Sequence, residues 1–243
     1  WSDGRRAFRW TTAGMAPISG AISATRWFDS PVAVATGGRV IIGAQQGSSL
    51  ISPHVSTNVF YFPNPYVWTP EHGRLPIQAV TNHGSAIYPK ALSHDGMIWV
   101  GESGNQVNTV NGTEAFRYAM NTGPVGLGYL PGGGPGAAGS LSGLSSAAGA
   151  SADGSVVVGY SASANSLNQP WQGGPLQNDA YSGFEAFVWT DAAGMVGLGD
   201  LAGGYFNSQA SAVSANGQVV VGTGTSAAGA EAFRWTSQTG MTG

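Results

Sequence analysis

The 243-residue sequence contains no cysteine. That excludes disulfides, thiol catalysis and cysteine-ligated zinc, and leaves the redox compartment open. Charge is scarce too: 9 % of residues are charged, against about 25 % in an ordinary domain. A net charge of −3 offers no electrostatic attraction to nucleic acid. The early arginines Arg5, Arg6, Arg9, Arg26 and Arg39 are scattered among apolar positions rather than grouped as a patch. No apolar run approaches the ~20 residues of a membrane span, and neither helical periodicity nor helix caps can be found. The chain starts at Trp1, without an initiator methionine or signal peptide, and so reads as a processed protein or part of a longer one.

Glycine, by contrast, is plentiful. The 39 glycines are more than double the usual share of roughly 7 %. With 42 % hydrophobic and 10 % aromatic residues, the chain is nevertheless no disordered low-complexity sequence. Its length suits a single all-β domain.

Its organisation is repetitive. "EAFVWTDAAGM" at 185–195 returns as "EAFRWTSQTGM" at 231–241, "EAFRYAMNTG" at 114–123 and "RRAFRWTTAGM" at 5–15. A second phrase follows each full copy: "ASAVSANGQVVVG" at 210–222, "AAGASADGSVVVG" at 147–159, "PKALSHDGMIWVG" at 89–101 and "PVAVATGGRVIIG" at 31–43. From Trp10 to Gly43, Trp68 to Gly101 and Trp189 to Gly222 the interval is 33 positions, and from Tyr118 to Gly159 it is 41. One structural unit, with an insertion in its third copy, explains those intervals.

Each unit reads as four short strands. "EAFRW" carries aromatics at alternate positions and is followed by a polar turn and "MVGLG". After a glycine-rich connection comes "ASAVS", then a tight turn (Asn216 and Gly217, Asp153 and Gly154, Asp95 and Gly96). Such dipeptides supply the positive φ of hairpin turns. The closing run, such as Val219, Val220 and Val221, is apolar at successive positions, as in a strand covered on both faces. Four antiparallel strands per unit are the signature of β-propeller blades; a β-solenoid is the rival, but its repeats are usually shorter. The expectation is an all-β propeller of four full repeats (about 5–43, 66–101, 114–159 and 185–222) plus a half repeat at 231–243. Either chain outside this segment completes the ring, or the leftover strands pair across the seam.

These residues resemble the HAF-repeat family of bacterial extracellular proteins. The resemblance is carried by "EAFRWT…GM", "GLGDLAGG" and "AVSANGQVVVG", and covers nearly the whole chain except about 44–64 and 161–183. It implies a secreted or cell-surface location and a propeller-like fold, and adds little about chemistry. In place of the family's name-giving His-Ala-Phe, this chain has Glu114, Glu185, Glu231 and Arg6 before Ala-Phe.

In a meander of strands, connections alternate between the two ends of the sheet. The insertions at 131–144, 44–65 and 160–184 therefore share one face, whichever strand is taken as first. Their aromatics and amides make candidate ligand-binding residues of Trp171, Tyr181, Phe184, Tyr61, Phe62, Tyr66 and Asn178, with Trp171 foremost. Aromatic platforms among amides and hydroxyls suit a polysaccharide or protein partner. The plainer reading has the same aromatics covering the core.

Little chemistry is legible. His72, His83 and His94 are evenly spaced but alternate between faces, and His54 lies apart, so no three-ligand zinc site forms. Adjacent turns leave open only a surface pair of His72 with Glu71 and His94 with Asp95. Glu114, Glu185 and Glu231 recur at one place in the repeat, which marks strand-end residues, with Arg117 or Arg234 as candidate partners. Asp95 and Asp153 belong to turns. No Gly-x-Ser-x-Gly elbow precedes a helix, and "PGGGPG" lacks the lysine of a phosphate loop. No catalytic residue, metal or cofactor is assigned. The expected function is an extracellular or cell-surface structural or recognition module. One alternative is a carbohydrate-active hydrolase using carboxylates of the loop face, where only Asp179 and Glu185 are on offer. The other is an assembly subunit that pairs through its leftover half blade.

Overall fold

A computed structural model describes residues 7–18, 27–47, 64–77, 86–104, 112–137, 143–167 and 183–243. A two-stranded hairpin, β1 (Phe8–Thr11) and β2 (Gly14–Pro17), comes first. Four antiparallel sheets of four strands follow. They comprise β3 (Trp27–Val34), β4 (Ile41–Gly47), β5 (Asn64–Thr69) and β6 (Gly73–Pro76); then β7 (Ala86–Leu92), β8 (Ile98–Gly104), β9 (Thr113–Ala119) and β10 (Gly123–Gly128). The third holds β11 (Ser145–Ala150), β12 (Val156–Ser161), β13 (Glu185–Thr190) and β14 (Gly194–Gly197). The fourth holds β15 (Gln209–Val213), β16 (Val220–Ser226), β17 (Gly229–Thr236) and β18 (Gly240–Thr242). Within each sheet the strands lie side by side in chain order. These are the blades of a β-propeller, as the repeat led us to expect, and the only α-helix among the described residues is one turn, α1 (Ala164–Leu167).

The sheets are phased half a unit away from the sequence repeat. Each begins with the small-residue strand and the valine strand, and ends with the aromatic strand and its partner. The leftover half therefore stands at the front of the chain, as β1 and β2; residues 231–241, read from the sequence as the leftover, complete the fourth sheet instead. The valine strand explains the choice. β12 pairs along one edge with β11 (Val157 opposite Ala150) and along the other with β13 (Val157 opposite Trp189). At the end of a sheet one of its edges would be left without partners, a liability for an apolar strand.

Stacking runs in chain order. Ile42 and Val67 of the first sheet pack on Ile87, Trp99 and Phe116 of the second. Val100 and Ala115 of the second meet Ala147, Val157 and Phe187 of the third. Val158 and Ala186 of the third meet Ala210, Val220 and Phe233 of the fourth. Each sheet thus has a trailing face toward the previous sheet and a leading face toward the next. Ala7 and Ile18, beside the hairpin, close on Ile41 and Tyr66 of the first sheet's trailing face.

Every first strand carries a bulge at the same place: Pro31/Ala33, Pro89/Ala91, Ala147/Gly149 and Ala210/Ala212. Opposite it, Gly43, Gly101, Gly159 and Gly222 of the valine strands lie against the backbone carbonyls of Ser30, Tyr88, Ser146 and Gln209, where a Cβ has no room. The aromatic of the next strand (Tyr66, Phe116, Phe187 or Phe233) sits across from that glycine. The invariant glycine of the second phrase is thus a close-approach residue.

Candidate functional site

Three parts of the molecule bear on function: the turn end of the sheets, the opposite end with the long connections, and the front of the stack.

At the turn end, one motif is written three times. Ser93 Oγ lies 2.6 Å from Asp95 Oδ1, which accepts the Met97 amide, while Ser93 Oγ accepts the Ile98 amide. Ser151 with Asp153, and Ser214 with Asn216, repeat it. These bonds hold the Asp95 carboxyl below the usual range, and the Ser151 and Ser155 hydroxyls with the Ser155 amide bring Asp153 to about 2. Backbone bonds then join successive turns: Thr36 N–H to His94 carbonyl, His94 N–H to Ala152 carbonyl, and Ala152 N–H to Ala215 carbonyl, at 2.8–3.0 Å. This end is a belt tying four sheets together. His94 serves it through its backbone. His72 Nδ1 lies 3.3 Å from Thr69 Oγ1, and Glu71 pairs with Arg39. Among the described residues no cluster of His, Asp and Glu could hold a metal ion; His54 and His83 lie outside them.

At the other end, serine and glutamate clasp neighbouring elements. Ser145 Oγ accepts the Ala115 amide (2.9 Å) and donates to the Gly128 carbonyl (2.7 Å), so the third sheet grips the second. Ser208 does the same with Ala186 and Gly199. In the first sheet the corresponding residue is Asp29, which reaches the Ala7 amide at 3.5 Å and forms a 2.5 Å ion pair with Arg74. The Arg74 guanidinium lies 4.1 Å from the centre of the Tyr66 ring. Glu114 accepts the Gly128 amide and Glu185 the Gly199 amide. The glutamates are strand-end residues, but the arginine expected beside Glu114 is engaged elsewhere: Arg117 Nε donates to the Gly154 carbonyl of the next sheet.

The long connections emerge here. Those after β4 and β12 lie within sheets, and 131–144 links two sheets, yet strand direction sends all three to the end opposite the belt. Trp171, Asn178, Tyr181, Tyr61 and Phe62 lie outside the described residues, as does Asp179. Phe184 is described: its ring packs on Tyr160 at 4.8 Å, and its amide donates to Asn207. Tyr66 corrects the sequence reading. It is a buried residue of β5 at the position held by Phe116, Phe187 and Phe233, and so belongs to the core rather than the loop surface. Alignment to Trp68 already placed it there, one strand position from Val67. The sequence reading also missed a polar group beneath this end: Lys90 Nζ contacts Glu102 Oε2 (2.9 Å) and Ser146 Oγ (2.8 Å), 5.7 Å from the Tyr160 ring centre. Tyr129, which follows β10, is pushed up to about 12, chiefly by burial and then by Glu114.

At the front, an open groove of about 720 Å³ runs between β1 and the first sheet. Phe8, Arg9, Trp10, Pro31, Val34 and Ile41 are among the residues that line it.

No family model matches the sequence, and no curated protein matches it. Solved structures do match it, and two of them illustrate the likeness. TolB from Acinetobacter baumannii is 15 % identical, with a TM-score of 0.49 over 94 % of this chain and 45 % of that one. The β-propeller domain of the Trilobed protease from Pyrococcus furiosus is 10 % identical, with a TM-score of 0.35 over 88 % of this chain and 70 % of that one. This chain thus spans less than half the length of the TolB it matches. No helix among the described residues is long and apolar enough to cross a membrane.

Proposed function

We propose that this chain is a non-catalytic recognition module of HAF-repeat type, extracellular or at the cell surface. Its repeats build a rigid arc, and the face bearing the long connections reads a polysaccharide or a protein. One observation carries the proposal: connections from three places in the chain emerge at one end, while the other end is closed by the backbone belt. Binding residues concentrate on loops that a rigid scaffold positions. The described carboxylates favour this reading over hydrolysis. Glu114 and Glu185 hold backbone amides, Asp95 and Asp153 hold turns, and Asp200 accepts the amides of Leu201, Asn207 and Thr225. A glycosidase needs two carboxyls free to flank one bond.

The test is binding of the purified chain to a panel of bacterial and plant polysaccharides, beside Trp171→Ala and a variant shortened within 168–178. Binding to one polysaccharide class that both variants lose, with unchanged thermal unfolding, is the expected result. Binding that neither variant alters refutes the assignment to this face.

A further inference from the structure

The hairpin at the front of the stack is the outer half of a blade. Its strands align with the third and fourth strands of every sheet: Phe8 stands where Tyr66, Phe116, Phe187 and Phe233 stand, and Trp10 where Trp68, Trp189 and Trp235 stand. In all four sheets the third strand is bonded along both edges, to the valine strand and to the fourth strand. Among the described residues β1 pairs only with β2.

The apolar surface around that edge is uncovered to match. Leu92, Ala150 and Val213 pack against the preceding sheet, whereas Val34, at the same place in the first sheet, is 61 % exposed. Phe8 and Trp10 are 55 % and 70 % exposed. The groove between them occupies the place of the two inner strands that a complete blade would have.

We propose that this groove is an acceptor site for a β-hairpin of the repeat's own inner-strand kind, supplied from outside these 243 residues. Register defines the donor. Each valine strand sets its glycine opposite the aromatic of the third strand and its last apolar residue opposite the next position, as Gly222 stands opposite Phe233 and Val221 opposite Arg234. A donor therefore places glycine opposite Phe8 and an apolar residue opposite Arg9, and its first strand covers Val34. The described strands of a second copy cannot be the donor. Among the described residues each chain has four inner pairs, all paired with outer strands of their own sheet, and five outer pairs; exchange of these strands among copies always leaves one outer pair per chain unfilled. Strand addition to an open edge joins backbone bonding to side-chain register.

The probe is a synthetic peptide with the sequence of residues 209–226, labelled with a fluorophore and titrated against the full chain. Amide hydrogen exchange of residues 8–11 is read in parallel. Expected are saturable binding of one peptide per chain, slowed exchange at β1, and at least about tenfold weaker binding to Val34→Arg. Trp10→Ala is a second variant at an exposed site, and unchanged circular dichroism and melting show that both fold. The proposal is overturned if saturating peptide leaves β1 exchange unchanged, or if a scrambled peptide protects equally. It is also overturned if Val34→Arg binds like the wild type, or if β1 becomes protected with rising protein concentration and no peptide. Polysaccharide binding is a separate readout, so either proposal can fail while the other stands.

Discussion

Replacing Ser145 by alanine tests whether the serine clasps hold the sheets together. Ser145 is fully buried, and its hydroxyl joins the Ala115 amide of β9 to the Gly128 carbonyl at the end of β10. Alanine removes one oxygen and leaves almost no cavity, so packing contributes little to the loss. What remains is a donor and an acceptor in the interface with their partner gone. Each buried orphan costs about 1–3 kcal/mol, the carbonyl toward the lower end. Ser145→Ala should therefore destabilise by about 2–4 kcal/mol, a large part of the 5–15 kcal/mol typical of a whole domain. Urea unfolding followed by tryptophan fluorescence gives the total. Hydrogen exchange at Ala115 shows whether the loss is local, as expected where each repeat contacts only its neighbours. Ser208→Ala, which removes the equivalent clasp one interface later, should cost a similar amount. A loss below about 0.5 kcal/mol for both, the level of an ordinary surface substitution, refutes the clasp argument.

Two turn residues give further tests. Gly154 has φ +67°, and a Cβ there would lie 2.6 Å from Ile98; Gly194 has the same φ with nothing within 4 Å. Gly154→Ala should cost about 2–3 kcal/mol and Gly194→Ala about 1–2 kcal/mol, the backbone penalty alone, measured as shifts in the urea midpoint. Asp153 has its carboxyl lowered from 3.8 to about 2. Its contribution to stability is therefore fully present above pH 4 and is lost as pH falls toward 2. The melting difference between wild type and Asp153→Asn should shrink over that window; a difference constant from pH 5 to 2 would contradict the assignment. The fourth sheet already carries Asn216 at this position, so the variant should fold.

How much was legible in the sequence follows from what each signal depends on. The strands, the Asn-Gly and Asp-Gly turns and the shared end of the insertions depend on local residues and on strand alternation, and the structure has all three. The phase of the blades depends on which strand has partners on both edges. Local pattern is the same for either phase, although the unbroken run of Val156, Val157 and Val158 already described an interior strand. The clasps were hidden because Ser145 and Ser208 sit among other small residues, and Asp29 breaks the pattern in the first sheet. Glu114 was recognised as structural, but its partner is a backbone amide 14 residues on, which no charge pattern signals. Tyr66 was drawn to the loop surface by neighbouring Phe60, Tyr61 and Phe62, when its distance from Trp68 placed it with the core phenylalanines.

The repeat supplies its own control for the uncovered ends. Ile42, Val100, Val158 and Val221 occupy one position on the leading face of successive sheets. The first three are fully buried, while Val221 is 43 % exposed because no fifth sheet covers it among the described residues. Val158→Ala removes apolar contacts from a closed interface and should cost about 2 kcal/mol. Val221→Ala makes the same chemical change on a face open to water and should cost less than about 1 kcal/mol. Both are read from urea unfolding at several protein concentrations. Equal costs would mean that the leading face of the fourth sheet is covered in solution. A Val221→Ala penalty that grows with protein concentration would identify another copy of the chain as the cover. A small penalty at every concentration leaves that face free, so that apolar burial among the four sheets is confined to the three interfaces between successive sheets.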